Sequence, residues 1–509
     1  MIPGALNSYM NSIPQVILDA MELVYSIGEK YLWVDSLCIV QDDADSKHDQ
    51  ISHMAIIYSS ALMTIVAASA RDASSNLPGL RPGTRWPREK QEIYELNRPL
   101  RPDLVLKAVD RTIYVSRAWT FQERHLSRRC LYFLDEQVYF QCRAELWCEE
   151  APIALLSKFI PTAPPEIGLS IMPKAQAWGE SIREEDWDRG FGFYAEIIQE
   201  YSWKLLTYPE DVTKALSGML GALEQHSGWT FAHCLPEQLL DWALLWVPAG
   251  SHQRRPAPPS GPILRFPSWS WIGWVGPITF NLNFGHTLKP LNSLLSNVEI
   301  ESVGETISSF RGVNRILSGK RKVFGTGIVG EEWEKIPITT SQPLTPGLCG
   351  SALRFTTSTI SADKFQIKEM PPWEWNSAAS SDTRARHNQT GVFVTMSGEI
   401  TGYFPGVSIE FFGRFRWSRL RLVAMSAMLV EDVTDGFGYG FGIKANGESN
   451  LWQTYLHWAN NPERFQKITI YNVMLVQRRG NFHERVAVGR IDIKSFDACC
   501  PVSETIQLV

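Results

Sequence analysis

The apolar positions in the first 70 residues alternate between helical spacing and short continuous runs. Apolar residues three and four apart predict helices over residues 12–28 and 45–58. Between them, residues 31–40 form a nearly continuous apolar run, which is typical of a strand buried on both faces of a parallel sheet. A second such run covers residues 62–67. The order helix, strand, helix, strand predicts a mostly parallel sheet with right-handed crossovers.

The pattern changes twice further along the chain. A proline-rich stretch over residues 151–175 and a second one over 250–262 are predicted to be linkers. The block between them has helical spacing, and the remainder alternates and turns often. Apolar runs on either side of Asp135-Glu136 and of Arg479-Gly-Asn481 predict hairpins over residues 130–142 and 472–491. We therefore predict an α/β domain over residues 1–150, a helical region over 176–250 and a β-rich region over 263–509.

Composition and charge limit the class of protein. Of the 509 residues, 44% are apolar and 20% are charged, which excludes a chain that is disordered overall. The net charge of −5 gives no argument for binding nucleic acid. No apolar stretch is long enough to span a membrane, and the N-terminus does not have the pattern of a signal peptide, so we expect a cytoplasmic protein. The cysteines form no C-x-x-C motif, and we expect no zinc site and no bound cofactor.

Carboxylates lie within and after the apolar run of residues 31–40. Asp35 is a candidate ligand-pocket residue that would orient Arg117 or contact hydroxyl groups of a ligand, and the alternative is a buried structural aspartate. Asp42 and Asp43 follow at the predicted end of the strand, where ligands of α/β sheets bind. The acidic run lacks the glycine and the distal glutamate of a calcium loop, so we predict no metal site.

The segment Trp119-Thr-Phe-Gln-Glu123 places an indole and a carboxylate four residues apart, on one face of a predicted helix. A carboxylate beside an indole is partly desolvated, which raises its pKa. Such a group suits acid–base chemistry or the cleavage of a glycosidic bond. The alternative is that Glu123 forms an ion pair with Arg117, Arg124 or another arginine.

A basic cluster follows the second predicted strand. Arg81, Arg85, Arg88 and Lys90 lie in a loop rich in glycine and proline. Their charge would suit a phosphate-bearing ligand or an acidic partner, and a solvated loop is the alternative interpretation.

Several motifs in the same order resemble the heterokaryon incompatibility (HET) domain of fungi. They begin with Tyr31-Leu-Trp-Val-Asp-Ser-Leu-Cys-Ile-Val-Gln-Asp-Asp43 and continue with Met54-Ala-Ile-Ile-Tyr58 and Thr64-Ile-Val-Ala-Ala68. Arg117-Ala-Trp-Thr-Phe-Gln-Glu-Arg124 follows, and Phe266-Pro-Ser-Trp-Ser-Trp271 is similar to a segment found downstream of such domains.

The resemblance implies a protein of fungal non-self recognition whose HET domain triggers programmed cell death through self-assembly and partner contacts. The HET domain is regarded as a distant relative of TIR domains, which implies a TIR-like fold. By that resemblance Glu123 is the candidate catalytic carboxylate of an NAD-cleaving hydrolase, with Asp35, Asp42, Asp43, Arg117 and Trp119 as pocket candidates. NAD would then be a substrate.

The resemblance is incomplete at the N-terminus. HET domains begin with a strand and loop of the type L-S-Y-x-W-G, and Asn7 to Met10 is at most a remnant of it. We therefore keep a third alternative, an inactive, truncated member of the family.

Overall fold

The computed structural model describes residues 6–85, 109–142, 146–149, 187–256, 266–280, 288–302, 351–369, 391–431 and 467–509. Arg88, Lys90, the linker predicted over 151–175 and the end of the one predicted over 250–262 lie outside these residues.

The helices follow each other along the chain as α1 (Gln15–Ser26), α2 (Asp35–Cys38), α3 (Ala44–Ser52), α4 (Met54–Ser60), α5 (Ile113–Ser116), α6 (Trp119–Leu126), α7 (Trp187–Ser202), α8 (Lys214–Ser227), α9 (Leu240–Ala243), α10 (Ile409–Phe412) and α11 (Ile493–Asp497). The strands are β1 (Thr64–Val66), β2 (Arg129–Phe133), β3 (Val138–Cys142), β4 (Leu146–Cys148), β5 (Phe231–Ala232), β6 (Leu235–Pro236), β7 (Trp246–Pro248), β8 (Gln253–Arg254), β9 (Trp274–Val275), β10 (Ile278–Phe280), β11 (Leu288–Ser293), β12 (Ser296–Ser302), β13 (Ser351–Ser361), β14 (Gln366–Glu369), β15 (Gly391–Met396), β16 (Glu399–Pro405), β17 (Leu420–Glu431), β18 (Lys467–Arg479), β19 (Phe482–Asp492) and β20 (Val502–Leu508).

The chain forms two compact units. The first contains Met1–Ser181 and Lys204–His226, and the second contains Ile182–Trp203 and Ser227–Val509. The helices of the region predicted over 176–250 are shared between both units. The boundaries of the three predicted regions stay a prediction.

The first unit has the predicted α/β character, but its sheet is mixed. Strand β1 pairs with β2 in parallel, whereas the pairs β2–β3 and β3–β4 are antiparallel. The predicted hairpin between residues 130 and 142 and the strand predicted at residues 62–67 are confirmed. The expectation of a mostly parallel sheet is wrong, because a short hairpin, which joins β2 to β3, can connect only antiparallel strands.

Apolar side chains cover both faces of this sheet. On one face, Phe133 of β2 packs with Ala20 of α1 and with Leu77. On the other face, Tyr132 and Cys130 of β2 pack with Val115 of α5. Helices and loops therefore shield the sheet on two sides, which is why β2 alternates between two separate cores.

The strand predicted over residues 31–40 is not a strand. Asp35–Cys38 form the single turn of α2, and Tyr31 is 91% exposed. The Asp35 carboxylate accepts a hydrogen bond of 2.6 Å from the Ser36 backbone N–H. Aspartate and serine form such local bonds in competition with sheet pairing, so apolar composition alone does not produce a strand here.

The predicted helix over residues 45–58 is divided. His53, with φ −92° and ψ 0°, separates α3 from α4. The Asp43 carboxylate accepts a hydrogen bond of 3.2 Å from the Ser46 N–H and thereby supports the start of α3. The helix predicted over 12–28 is confirmed as α1.

The described part of the basic cluster makes ion pairs within the first unit. Arg81 lies 2.9 Å from the fully buried Asp19, and Arg85 lies 2.8 Å from Glu149. Asp19 also accepts a hydrogen bond of 2.8 Å from the Leu77 N–H. Arg81 and Arg85 therefore have carboxylate partners within the chain, and both interpretations of the basic cluster stay predictions.

The second unit is β-rich, as the sequence predicts. Strands β17, β13, β20, β19 and β18 pair in this order, and β18 returns to β17. The link between β19 and β20 is parallel and consists of the pair His483 and Leu508, so one residue pair closes a ring of five strands. The predicted hairpin between residues 472 and 491 is confirmed as β18–β19.

Arg254, Arg255 and the buried Trp246 fix the segment Phe266–Trp271 in the second unit. Arg254 donates to the carbonyl groups of Phe266 and Gly273, and Arg255 donates to that of Ile272. Trp246 donates to the Trp269 carbonyl at 3.0 Å. Residues 253–255 of the predicted linker therefore have a structural role, and these tryptophans serve packing.

We expect Asp19→Ala to destabilise the first unit by about 3 kcal/mol, because the buried Leu77 N–H loses its acceptor and Arg81 loses its counterion. Hydrogen exchange of the β2 backbone amides, followed by mass spectrometry, measures this loss in the first unit alone.

The matched control is Glu22→Ala. Glu22 is exposed and lies 3.7 Å from the same arginine, so its loss should change the free energy of unfolding by less than about 1 kcal/mol. Equal exchange rates in the two variants would contradict a stabilising role of the buried pair.

Candidate functional site

A distant segment of the chain holds the start of α6. The Leu205 N–H donates to the Ser116 carbonyl at 2.6 Å, and the Ala118 N–H donates to the Leu205 carbonyl at 2.9 Å. The Thr120 hydroxyl group adds a bond of 2.8 Å to the Arg117 carbonyl. These bonds fix Arg117 at the entrance of the helix.

The end of α6 is held by hydroxyl groups. The Ser127 hydroxyl donates to the Glu123 carbonyl at 2.5 Å and is 2.6 Å from the Thr64 hydroxyl of β1. Helix α8 approaches closely at Gly218, where an added Cβ atom would lie 2.8 Å from both Ala55 of α4 and Gln122 of α6. Because α6 is held at both ends and from one side, the fold determines the position of the Glu123 backbone, from which the side chain extends.

The Glu123 carboxyl group lies among three groups from separate elements. The Tyr58 hydroxyl group of α4 donates a hydrogen bond to it. Arg117, just before α6, and Asp35 of α2 act on it electrostatically. The structure therefore brings together Asp35, Arg117 and Glu123, which the sequence names as candidates, and adds Tyr58.

Burial dominates the protonation of Glu123. It raises the pKa of this carboxyl group from the ordinary 4.5 to about 7. Arg117 opposes this rise, the Asp35 carboxylate adds to it, and the bond from Tyr58 opposes it. Desolvation and the Glu123 charge also raise the pKa of Tyr58, so its hydroxyl group remains protonated and serves as a donor.

The residues of the site differ in exposure. Asp35 and Arg117 are exposed, whereas Tyr58 and Glu123 are half-buried. The Tyr114 hydroxyl group is buried without a hydrogen-bond partner, and burial and the Glu123 charge raise its pKa. Glu123 is thus partly shielded by protein, whereas the charged side chains of Asp35 and Arg117 are accessible to a ligand.

The remaining sequence candidates have other positions in the first unit or other partners. Trp119 is half-buried at the first position of α6. Asp42 is exposed, and Asp43 supports the start of α3. Arg124 is buried and pairs with Asp110 at 3.1 Å. Of the arginines proposed as partners of Glu123, Arg117 is the one whose charge stabilises the ionised carboxylate.

Two residues of the site are not among the sequence candidates. Tyr58 is the last residue of the motif Met54-Ala-Ile-Ile-Tyr58, and Trp33 packs edge-on against its ring with the centroids 5.8 Å apart. Tyr58 lies four positions after the buried Met54 and is the residue of that helical face with a polar tip. This helical spacing, together with the polar tip of the ring, is the sequence signal from which Tyr58 could have been identified.

The arrangement combines an acid that is about half ionised near neutral pH, a second carboxylate, a cation and a phenol. Such a set can exchange a proton with a bound molecule or stabilise a developing positive charge. Within the described residues, no group of three histidine, cysteine or acidic side chains is placed to hold a metal ion. No described helix is long and apolar enough to cross a membrane.

The fold and site define a protein with an N-terminal α/β domain that carries a half-buried acid at its surface. Residues 5–123 match the family model described as Heterokaryon incompatibility protein (HET). The chain therefore contains a HET domain, and the matched stretch includes Asp35, Tyr58 and Arg117 and ends at Glu123. Comparisons with curated proteins and with solved structures gave no match.

We expect Glu123→Gln to stabilise the first unit increasingly as the pH rises. The folded chain keeps the Glu123 proton up to about pH 7, whereas the unfolded chain releases it near 4.5, so wild-type stability falls between these values. Glutamine stays neutral. Allowing for partial exposure, the difference should approach about 2 kcal/mol above neutral pH.

Amide exchange of β2 at pH values from about 5 to about 8 measures this effect once the intrinsic pH dependence of exchange is subtracted. Glu29→Gln, which changes an exposed carboxylate, is the control. A difference between wild type and Glu123→Gln that does not vary with pH would show that Glu123 ionises normally.

Proposed function

We propose that this chain acts in fungal non-self recognition, and that its HET domain triggers programmed cell death through self-assembly and contacts with protein partners. The match of residues 5–123 to the HET family supports the role in incompatibility. The observation that carries assembly is the exposed apolar surface of the first unit.

Most large apolar side chains that are exposed in the described residues belong to this unit. They are Tyr9, Met10, Tyr25, Ile27, Tyr31, Val40, Ile56, Leu62, Ile113, Leu205 and Tyr208. Monomeric proteins expose scattered apolar residues, but a concentration of them is typical of an interaction surface.

The segment from Tyr25 to Tyr31 is the clearest example. Tyr25 and Tyr31 are 84% and 91% exposed, and the residues between them are exposed as well. Gly28 has a positive φ of 83° and turns the chain after α1. A turn that projects two tyrosines and Ile27 offers the aromatic contacts on which protein interfaces depend.

We expect the triple variant Tyr25→Ser, Ile27→Ser, Tyr31→Ser to weaken self-association at least about tenfold, because exposed aromatic anchors contribute more than about 1.4 kcal/mol at interfaces. Sedimentation of the purified chain measures self-association, and growth after induced expression in a filamentous fungus measures toxicity. The variant should lose both.

The control is Val502→Ser, which removes a similarly exposed apolar side chain from the second unit. It should retain assembly and toxicity. Unchanged assembly and toxicity in a folded triple variant would contradict the proposal for this segment.

The second candidate function is cleavage of NAD, which the Glu123 site favours. In this reaction the bond between the ribose carbon and the nicotinamide nitrogen breaks, and nicotinamide leaves with the electron pair. Water adds to the ribose carbon and loses a proton. The ionised Glu123 would stabilise the positive charge that develops on the ribose and accept that proton.

Two neighbours of Glu123 suit the remainder of such a substrate, and a third supports the ionisation of Glu123. Asp35 can accept hydrogen bonds from ribose hydroxyl groups, and Arg117 can bind a phosphate group. Both are exposed, as a ligand-binding role requires. The Tyr58 hydroxyl group favours the ionised form of Glu123, on which this step depends.

We expect nicotinamide release from NAD by the purified chain to fall at least about 100-fold in Glu123→Ala. Because the carboxylate is the active form, the wild-type rate should rise with pH, with a midpoint near 7. Glu29→Ala is the matched control and should retain the rate.

The two assays together separate the candidate functions. Toxicity that survives Glu123→Ala favours assembly without catalysis, and toxicity that disappears together with nicotinamide release favours the enzyme. A folded chain that neither assembles, kills nor cleaves NAD would be the third alternative, an inactive member of the family.

A further inference from the structure

Three sequence motifs that are far apart in the chain meet at Tyr58. The Trp33 ring contacts the Tyr58 ring at 5.8 Å with an angle of 77° between the planes, an edge-to-face arrangement. The Tyr58 hydroxyl group, at the other end of the same side chain, bonds to Glu123. Trp33 is two residues before Asp35, so one short segment contributes both a ring contact and a charge to the site.

We infer that Tyr58 is a positioning residue: the Trp33 ring holds the Tyr58 ring, and the Tyr58 hydroxyl group holds the Glu123 carboxylate between Asp35 and Arg117. This inference rests on the second candidate function, cleavage by Glu123, for its relevance to catalysis. Tyr58 itself donates a hydrogen bond and exchanges no proton with a substrate.

A half-buried carboxylate needs such a donor. The Glu123 side chain has three rotatable bonds, and a group without hydrogen bonds would sample several orientations. Arg117 is exposed and lies outside α6, so its charge attracts Glu123 without restricting its geometry. Tyr58 is half-buried in α4 and packed against Trp33, which makes it the more rigid partner.

The ionisable groups that act on Glu123 or respond to its charge lie on several elements. They are Asp35 on α2, Tyr58 on α4, Tyr114 on α5, Arg117 between α5 and α6, and Cys130 on β2. Removing the Tyr58 hydroxyl group leaves the other four in place. A change in the titration of Glu123 in Tyr58→Phe therefore reports the lost hydrogen bond.

The test is a direct NMR titration of the full chain labelled with ¹³C at the glutamate carboxyl carbons. The Glu123 signal is assigned by its absence in Glu123→Gln. Tyr58→Phe should raise the titration midpoint by about half a pH unit or more, because the donor that favours the ionised form is lost. Arg117→Gln should raise it further, and Asp35→Asn should lower it.

Trp33→Leu tests how the tyrosine is held. It retains the phenol but removes its ring contact, so the Glu123 midpoint should rise as it does in Tyr58→Phe. Tyr31→Phe is the matched control, because it removes a phenol from the same segment at an exposed position, and it should leave the midpoint unchanged.

An unchanged Glu123 midpoint in folded Tyr58→Phe would overturn the inference. A midpoint that moves in Tyr58→Phe but not in Trp33→Leu would overturn the role of Trp33. Because the titration needs no substrate, it separates this inference from the proposed function. A shifted midpoint in a chain that releases no nicotinamide would reject NAD cleavage and leave the positioning role intact.

Discussion

The site in the first unit depends on the loss of water around the Glu123 carboxyl group. Helix α6 is held by Leu205 at its start and by Ser127 and Thr64 at its end, so the backbone that carries the Glu123 side chain is fixed. A desolvated carboxyl group then needs a cation and a donor to ionise at all near neutral pH. Arg117 and Tyr58 supply these, which explains why separate segments converge on one residue.

In the second unit, a cation is removed from water and therefore also needs protein groups as partners. The Arg485 guanidinium is buried, donates to the carbonyl groups of Leu244 and Trp246, and lies 3.7 Å from the centre of the Trp246 ring. Carbonyl oxygens and a π face replace water as partners of the charge. Trp246 therefore accommodates a buried arginine in addition to filling volume.

The sequence predicted those parts of the fold that local patterns determine. Helix α1, the hairpin β2–β3 and the hairpin β18–β19 follow from periodicity and turn residues. The apolar run of residues 31–40 predicted a strand, but residues 35–38 form a helical turn. A strand needs a neighbouring strand, and the local hydrogen bond to the Asp35 carboxylate favours the turn.

The sequence predicted only part of the site, because the contacts of its side chains come from distant segments. A motif spacing identified Glu123, but only the tertiary fold shows that Tyr58 donates to it and that Asp43 supports α3 instead. The role of an ionisable side chain depends on which groups from distant segments surround it, and spacing along one segment does not contain that information.

The closure of the five-stranded ring has a consequence for protein synthesis. Strand β13 needs β20 as its partner, and β20 follows it after most of the second unit has been translated. Until then β13 presents an unpaired edge along Leu353–Thr359, a state that invites association with other chains. The residues of the first unit end at His226, so all of them have been translated before most of the second unit is complete.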